Sequence, residues 1–342
     1  MLIGIVGDIH WSKYSSIVRM RGDKYSFRLE NCIKSINWAE QLFTDMNCSL
    51  VTYLGDFFDS SELTAEEITA LKEIKWNNLE HYFLVGNHEM GMNDLSYSSS
   101  HLFDYIDIEA GSTVIDKAQS QTFGDVTLHF LPYVLEEHRK SVTDYVLATS
   151  HKNIVFSHND IAGIQLGNII SKAGFKIDDI ESNCDLFING HLHNGCKITD
   201  KIINIGNLTG QNFSEDASKY SHCVFILDTT TMRIAVYENP YAINFYKLDA
   251  CESEVNTSQL KSNSVVTLKC TEELQHAYKE LLLNAPNVLT SRLIVVPAIK
   301  SVQSDSIKEL VAINHLDKFK DYILNNLGTS EIVIQELEEV IK

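Results

Sequence analysis

No stretch of the sequence approaches the roughly eighteen consecutive apolar residues that cross a bilayer. A membrane-spanning class is not expected. The first ten residues, MLIGIVGDIH, have no basic segment before their apolar part and no cleavage site after it, so they read as a first strand and not as a secretory signal. Cysteine is sparse, odd in number and never paired: Cys32, Cys48, Cys184, Cys196, Cys223, Cys251 and Cys270 contain no C-x-x-C spacing. That argues against a disulfide scaffold and for a reducing cytoplasm, with the thiols in core packing. Positive charge is short as well. Lysine and arginine number 28 against 46 acids, a formal net charge of −18. Passive, charge-driven attachment to nucleic acid or to acidic membranes is thereby disfavoured, and a phosphate-bearing substrate would need a local positive centre. Internal repeats and low-complexity tracts are absent.

What is present is an ordinary soluble composition, 44% hydrophobic and 22% charged over 342 residues, ample for a sizeable core. Through about residue 228 strands and helices alternate, within a first domain of residues 1–240. The strand candidates LIGIV, VTYL, YFLV, TLHFLPY, NIVF, DLFI, KIINI and CVFIL predict an α/β unit, a two-layer sheet flanked by helices. Leu29, Ile33, Ile36, Leu42, Phe43 and Met46 keep helical spacing, and Thr64 with Glu67 forms a capping box at the start of a second helix, TAEEITALKEIKW. Residues 241–300 read as a small α+β unit with strands INFYKL, SVVTLKC and RLIVVPA around a helix ended by Pro286. Residues 301–342 read as helical, with a capping box at Ser306 and Glu309.

One stretch, VTYLGDFFDSS, ends an apolar strand in Gly55 and then offers Asp56 and Asp59. The carboxyl end of a strand is where open α/β sheets bind ligands. Four other strand ends carry the same signal: GDIH at 7–10, GNHE at 86–89, SHND at 157–160 and GHLH at 190–193. Their carboxylates, amide and imidazoles suit divalent Mn²⁺, Fe²⁺ or Zn²⁺. Phe57 and Phe58 read as core packing, and the eight histidines outside these motifs as structural or surface residues.

The ordered series D-x-H, G-D-x-x-D, G-N-H-E, H, G-H-x-H resembles the calcineurin-like metallophosphoesterase superfamily over roughly residues 1–228. The resemblance implies two divalent ions, with Mn²⁺ expected. One would be held by Asp8, His10 and His193, the other by Asn87, His158 and His191, with Asp56 bridging. Such a pair, about 3.5–4 Å apart, polarises a phosphoryl oxygen and activates water for in-line attack. Asp59 should hydrogen-bond His88, which would protonate the leaving oxygen as general acid.

GNHE is also the spelling of Ser/Thr protein phosphatases, but Ser60 stands where their second motif has arginine and Trp11 follows His10 where they have glycine. The segment INIGNLTGQNFSEDASKYSHCVFILD instead resembles SbcD-type DNA repair and recombination nucleases, including short phage forms. That implies a DNA exonuclease or endonuclease with residues 241–300 as a capping domain. It also implies an SbcC-like coiled-coil ATPase partner engaged through helices in residues 301–342, and allows a homodimer. A small-molecule phosphodiesterase or phosphatase, and a non-catalytic scaffold on the same fold, remain open. The segment 11–28 carries Lys13, Arg19, Arg21, Lys24 and Arg28 interleaved with Trp11, Tyr14, Tyr25 and Phe27. It reads either as a single-strand DNA contact or as a solvated surface loop.

Overall fold

A computed structural model describes residues 1–297 apart from 16, 147–148 and 167–168. Two six-stranded sheets share one plan. In the first, Leu2–Val6, Leu50–Tyr53, Glu80–Leu84 and Ser112–Ile115 run parallel, and Cys223–Asp228 and Arg233–Glu238 continue antiparallel beyond Leu2–Val6. In the second, Val126–Leu131, Lys152–Ser157, Leu186–Asn189 and Ile202–Asn204 run parallel between antiparallel edges Gln119–Phe123 and Cys196–Lys197.

Because side chains alternate across a strand, the central parallel strands bury both faces and read as largely apolar runs, while the edge strand Ser112–Ile115 buries only Ile115. Ile3, Ile5 and Leu84 turn inward to meet Leu128, Phe130, Ile154, Phe156 and Ile188 between the sheets. Val6, Val51, Tyr53 and Phe83 turn outward onto the helix Phe27–Asp45, whose Leu29, Cys32, Ile36 and Phe43 form its buried stripe. On the far side Val155, Phe187 and Ile202 pack against Ile180 of the helix Ile177–Asn183. The expected α/β class, two sheet layers flanked by helices, is the architecture formed.

The capping box of Thr64 and Glu67 is present, yet its helix is only Ala65–Ala70 followed by a 3₁₀ turn, Leu71–Glu73. It stops short of the expected span because the chain then extends to carry Ile74 and Trp76 into the core around Phe57 and Phe83. Further along, Asn244–Asp249, Ser264–Thr271 and Val288–Val296 form a third, all-parallel sheet covered by the helix Gln275–Asn284 through Leu282 and Tyr278. Its Phe245 and Val265 pack with Val18 and Phe27, so this sheet leans on the chain that follows the first strand. Residues 301–342, with the expected capping box at Ser306 and Glu309, lie outside the described residues. Among the described residues, no helix is long and apolar enough to cross a membrane.

Candidate metal centre

Asp8 and His10 follow the strand Leu2–Val6, Asp56 and Asp59 follow Leu50–Tyr53, and Asn87 and His88 follow Glu80–Leu84. His158 follows Lys152–Ser157, and His191 and His193 follow Leu186–Asn189. All five are carboxyl ends of parallel strands, three in the first sheet and two in the second, and they converge. The glycines of the motifs permit the approach. A Cβ on Gly55, whose φ is +92°, would lie 2.5 Å from the His158 ring, and one on Gly86 would lie 2.2 Å from Asp56 Oδ1. His10, Asp56 and His191 themselves sit at φ values of 49°, 47° and 72°, left-handed backbone that non-glycine residues occupy at a cost of about 1–3 kcal/mol. Strain of this kind gathers where side chains must be aimed.

The hydrogen bonds settle which imidazole nitrogen faces inward. His10 Nδ1 lies 3.0 Å from Asp59 Oδ1, and His193 Nδ1 lies 3.2 Å from Glu215 Oε1. Carboxylates only accept, so both Nδ1 atoms carry a proton, and in the neutral rings both Nε2 atoms present lone pairs. Those two Nε2 atoms are 3.0 Å apart. Beside them is Asp8, fully buried, whose Oδ1 accepts from the His191 backbone N–H while Oδ2 has no partner. The second group follows the same logic. His158 donates from Nδ1 to the Leu54 carbonyl at 2.6 Å, and His191 donates from Nε2 to Asp160 Oδ1 at 3.0 Å. This leaves His158 Nε2 facing Asp56 Oδ2 at 3.1 Å, Asn87 Oδ1 at 3.3 Å and His191 Nδ1 at 3.3 Å. Asp56 Oδ2 is also 3.9 Å from His10 Nε2, between the two groups.

Acceptors facing acceptors repel unless a cation lies among them. The two sets, Asp8 with His10 and His193, and Asp56 with His158 and His191, each bring three ligand atoms within 4.8 Å of one another, and Asn87 adds an amide oxygen to the second. Oxygen with imidazole nitrogen is a donor set for borderline divalent metals, and the orphaned Asp8 Oδ2 is an acceptor that protein groups leave unused. The residues fit two metal ions.

Electrostatics agree with that charge pattern. Burial would raise the Asp56 carboxyl, but His158 and His10 hold it well below the carboxylate range. Burial likewise opposes ionisation of Asp59, and the His10 and His88 rings outweigh it. Without metals His158 is pushed up to about 9: burial lowers it, and the Asp56 and Asp8 carboxylates prevail. Contact with Asp59, 3.5 Å from His88 Nδ1, raises His88 to about 9 against burial. Asp59 lies nearer to His10 than to His88, so it orients a metal-facing ring as well as its expected partner.

Sequence reasoning missed four supporting residues. Glu215, buried in the NFSEDAS loop, orients His193. Asp160 orients His191 and is itself 3.4 Å from the buried guanidinium of Arg139, which donates to the Val134 carbonyl. Glu89, the fourth letter of GNHE, is fully buried and accepts from the backbone N–H groups of Gly86 and Phe58, tying two motif loops together. Glu89 and Asp160 lay inside the strand-end motifs and Glu215 inside the segment INIGNLTGQNFSEDASKYSHCVFILD, while Arg139 lay in neither.

The segment 11–28 differs from its expected form. Arg28 is withdrawn from the DNA-contacting set, because it is buried and donates to the carbonyls of Ile9 and Gly210. Trp11 and Tyr25 are core residues, leaving Tyr14 exposed. Arg21 pairs with Glu66 at 2.8 Å and Lys24 pairs with Glu73. Lys13 is half-buried and Arg19 exposed. Phe57 and Phe58 pack in the core, as expected.

Comparison with solved structures finds similarity to a dimetal phosphatase from Danio rerio, at 13% identity and a TM-score of 0.43, over 70% of this chain and 95% of that one. No curated protein matches the chain. The family model for calcineurin-like phosphoesterases matches residues 1–195, which hold all five motifs. The chain belongs to the calcineurin-like phosphoesterase family.

Proposed function

We propose that this phosphoesterase is a DNA nuclease of the SbcD type, using two divalent metal ions, Mn²⁺ foremost, to hydrolyse phosphodiesters in repair or recombination. The observation that carries a hydrolytic reading is the convergence of metal-ligating atoms, with Asp8 Oδ2 left without a partner, beside His88. Asp8, His10 and His193 would hold one ion and Asn87, His158 and His191 the other, with Asp56 shared. When bound, such ions supply Lewis acidity toward a phosphoryl oxygen and toward water.

The chain's own groups do the rest. Asp59, Glu215, Asp160 and the Leu54 carbonyl fix the four metal-facing rings. His88 is placed to donate a proton to the leaving oxygen: its side chain is 45% exposed, and its ring lies 4.5 Å from that of His10. Support for the SbcD type comes from the segment that resembles those nucleases, since it carries Glu215, and from the third sheet packed beside it. The nuclease would work in the cytoplasm with an SbcC-like ATPase.

One observation favours a second reading, a small-molecule phosphodiesterase: Arg28 is buried and Arg21 and Lys24 are ion-paired, so little of segment 11–28 is left to grip a polyanion. One assay separates the readings. Linear DNA and p-nitrophenyl esters are offered to EDTA-treated protein with and without Mn²⁺. Mn²⁺-dependent degradation of DNA supports the nuclease. Hydrolysis of the small esters alone sinks it.

A further inference from the structure

Two cavities meet the candidate metal centre at different residues. The smaller, about 280 Å³, is bounded by His10 and Asp59 together with Gln211 and Asn212. The larger, about 850 Å³, is bounded by His191 and His193. Residues 210–215 contribute to both, with Ser214 on the larger, and they end in Glu215, whose carboxylate accepts from the His193 ring and from the Gln211 backbone N–H.

The proton donor sorts the two. His88 lies 3.5 Å from Asp59 and 4.5 Å, ring to ring, from His10, so a leaving group that meets His88 belongs with the smaller cavity. The larger is then left for whatever else phosphorus carries. Its lining is apolar and neutral apart from the two imidazoles: Ile164, Ile177, Ile198 and Tyr220 with Asn194, and no lysine or arginine among the described residues. Such a surface offers nothing to hold a second phosphate. It fits a flat, uncharged group with a few hydrogen-bonding edges, and its volume lies in the range of about 300–1,000 Å³ common to small-ligand sites.

We propose that this larger cavity is the subsite for the nucleoside that stays on phosphorus, which makes a nucleotidyl diester, not a monoester, the preferred substrate. The inference rests on the phosphoesterase reading above and names the substrate class of that same centre. The step balances as hydrolysis. One P–O bond forms to the oxygen of water and one breaks to the leaving group. The leaving oxygen takes a proton from His88, and a proton from water, released to solvent, makes that proton good.

Two esters with the same leaving group test it: p-nitrophenyl phosphate and the p-nitrophenyl ester of thymidine 5′-phosphate, both with the Mn²⁺-loaded full chain. The diester should be favoured in kcat/KM by about 10-fold or more, and Ile198→Asn and Tyr220→Ala should each remove most of that preference. A second readout needs no turnover. Cys196 lines this cavity and is exposed, while Cys251 is exposed elsewhere. Thymidine 5′-phosphate should slow alkylation of Cys196 several-fold, read by mass spectrometry, and leave Cys251 unchanged. Equal use of the two esters, or alkylation of Cys196 at an unaltered rate, overturns the subsite and leaves the phosphoesterase reading standing. Failure to hydrolyse either ester or linear DNA overturns that reading, and the subsite with it.

Discussion

Asp59 separates two roles that a single motif letter hides. It is 3.0 Å from His10, which faces the metal centre, and 3.5 Å from His88, the proton donor of the proposed mechanism. His88→Asn should therefore keep its metals and lose about 10²- to 10⁴-fold in turnover, the usual span for a general acid. Asp59→Asn should lose turnover and also weaken metal binding about 10- to 100-fold, as loss of a ring-orienting carboxylate does. Calorimetric metal titration beside kcat distinguishes the two. An Asp59→Asn protein with unaltered metal affinity would return Asp59 to His88 alone. Asp160→Ala should weaken metal binding by the same order through His191, with Arg139 left buried beside an uncharged neighbour. The metal-facing residues were legible because each follows an apolar strand and a turn. Glu215 was not, since it lies 22 residues beyond His193 in a polar loop where nothing marks one acid from another. Trp11 and Tyr25 misread for the converse reason: rings flanked by charges look like surface until a neighbouring helix covers them.

At the scale of strands and turns, the motif glycines are contact surfaces as much as hinges. Gly55 combines φ +92° with a missing Cβ that would meet the His158 ring at 2.5 Å, whereas Gly124, at φ +61°, has nothing within 4 Å of that position. Both should resist alanine for backbone reasons, at about 1 kcal/mol. Only Gly55→Ala should also displace a metal-facing ring. Thermal denaturation with metal analysis checks this. The Gly124→Ala protein should keep its full metal content with a small drop in Tm, and Gly55→Ala should lose both. Equal metal content in the two variants would mean the His158 loop yields without cost. The apolar runs predicted the parallel strands that are buried on both faces, which leaves few other readings, but not the edge strand Ser112–Ile115, where only Ile115 is buried. The shortened helix after Thr64 was less legible: its cap is visible in the sequence, but the pull of Trp76 toward Phe57 and Phe83 is a tertiary effect.

For the whole molecule the governing fact is a net charge of −18 around a centre built almost entirely of acceptors. An acidic chain gains from a partner that holds DNA, so removing residues 329–342, outside the described fold, should spare cleavage of short substrates and abolish co-purification with an SbcC-like ATPase. Cleavage lost with binding would place that segment in the fold itself. The ions should matter to stability as well as to chemistry. Asp8 and His10 come from the first sheet and His193 from the second, while Asn87 comes from the first and His158 and His191 from the second. Each ion would therefore link the two layers of the sandwich. An ion that binds only the native state, at a hundredfold excess over its Kd, adds about 2.7 kcal/mol. For a chain of this size roughly 2 °C of Tm accompanies each kcal/mol, so stripping both ions with EDTA should lower Tm by about 10 °C. Added Mn²⁺ should restore it. In Asp56→Asn, where the shared carboxylate becomes a weaker neutral ligand, the EDTA effect should shrink by at least half. A wild-type Tm indifferent to EDTA would show that protons, not metals, satisfy Asp8, Asp56 and the four rings, and the two-ion centre would have to be abandoned.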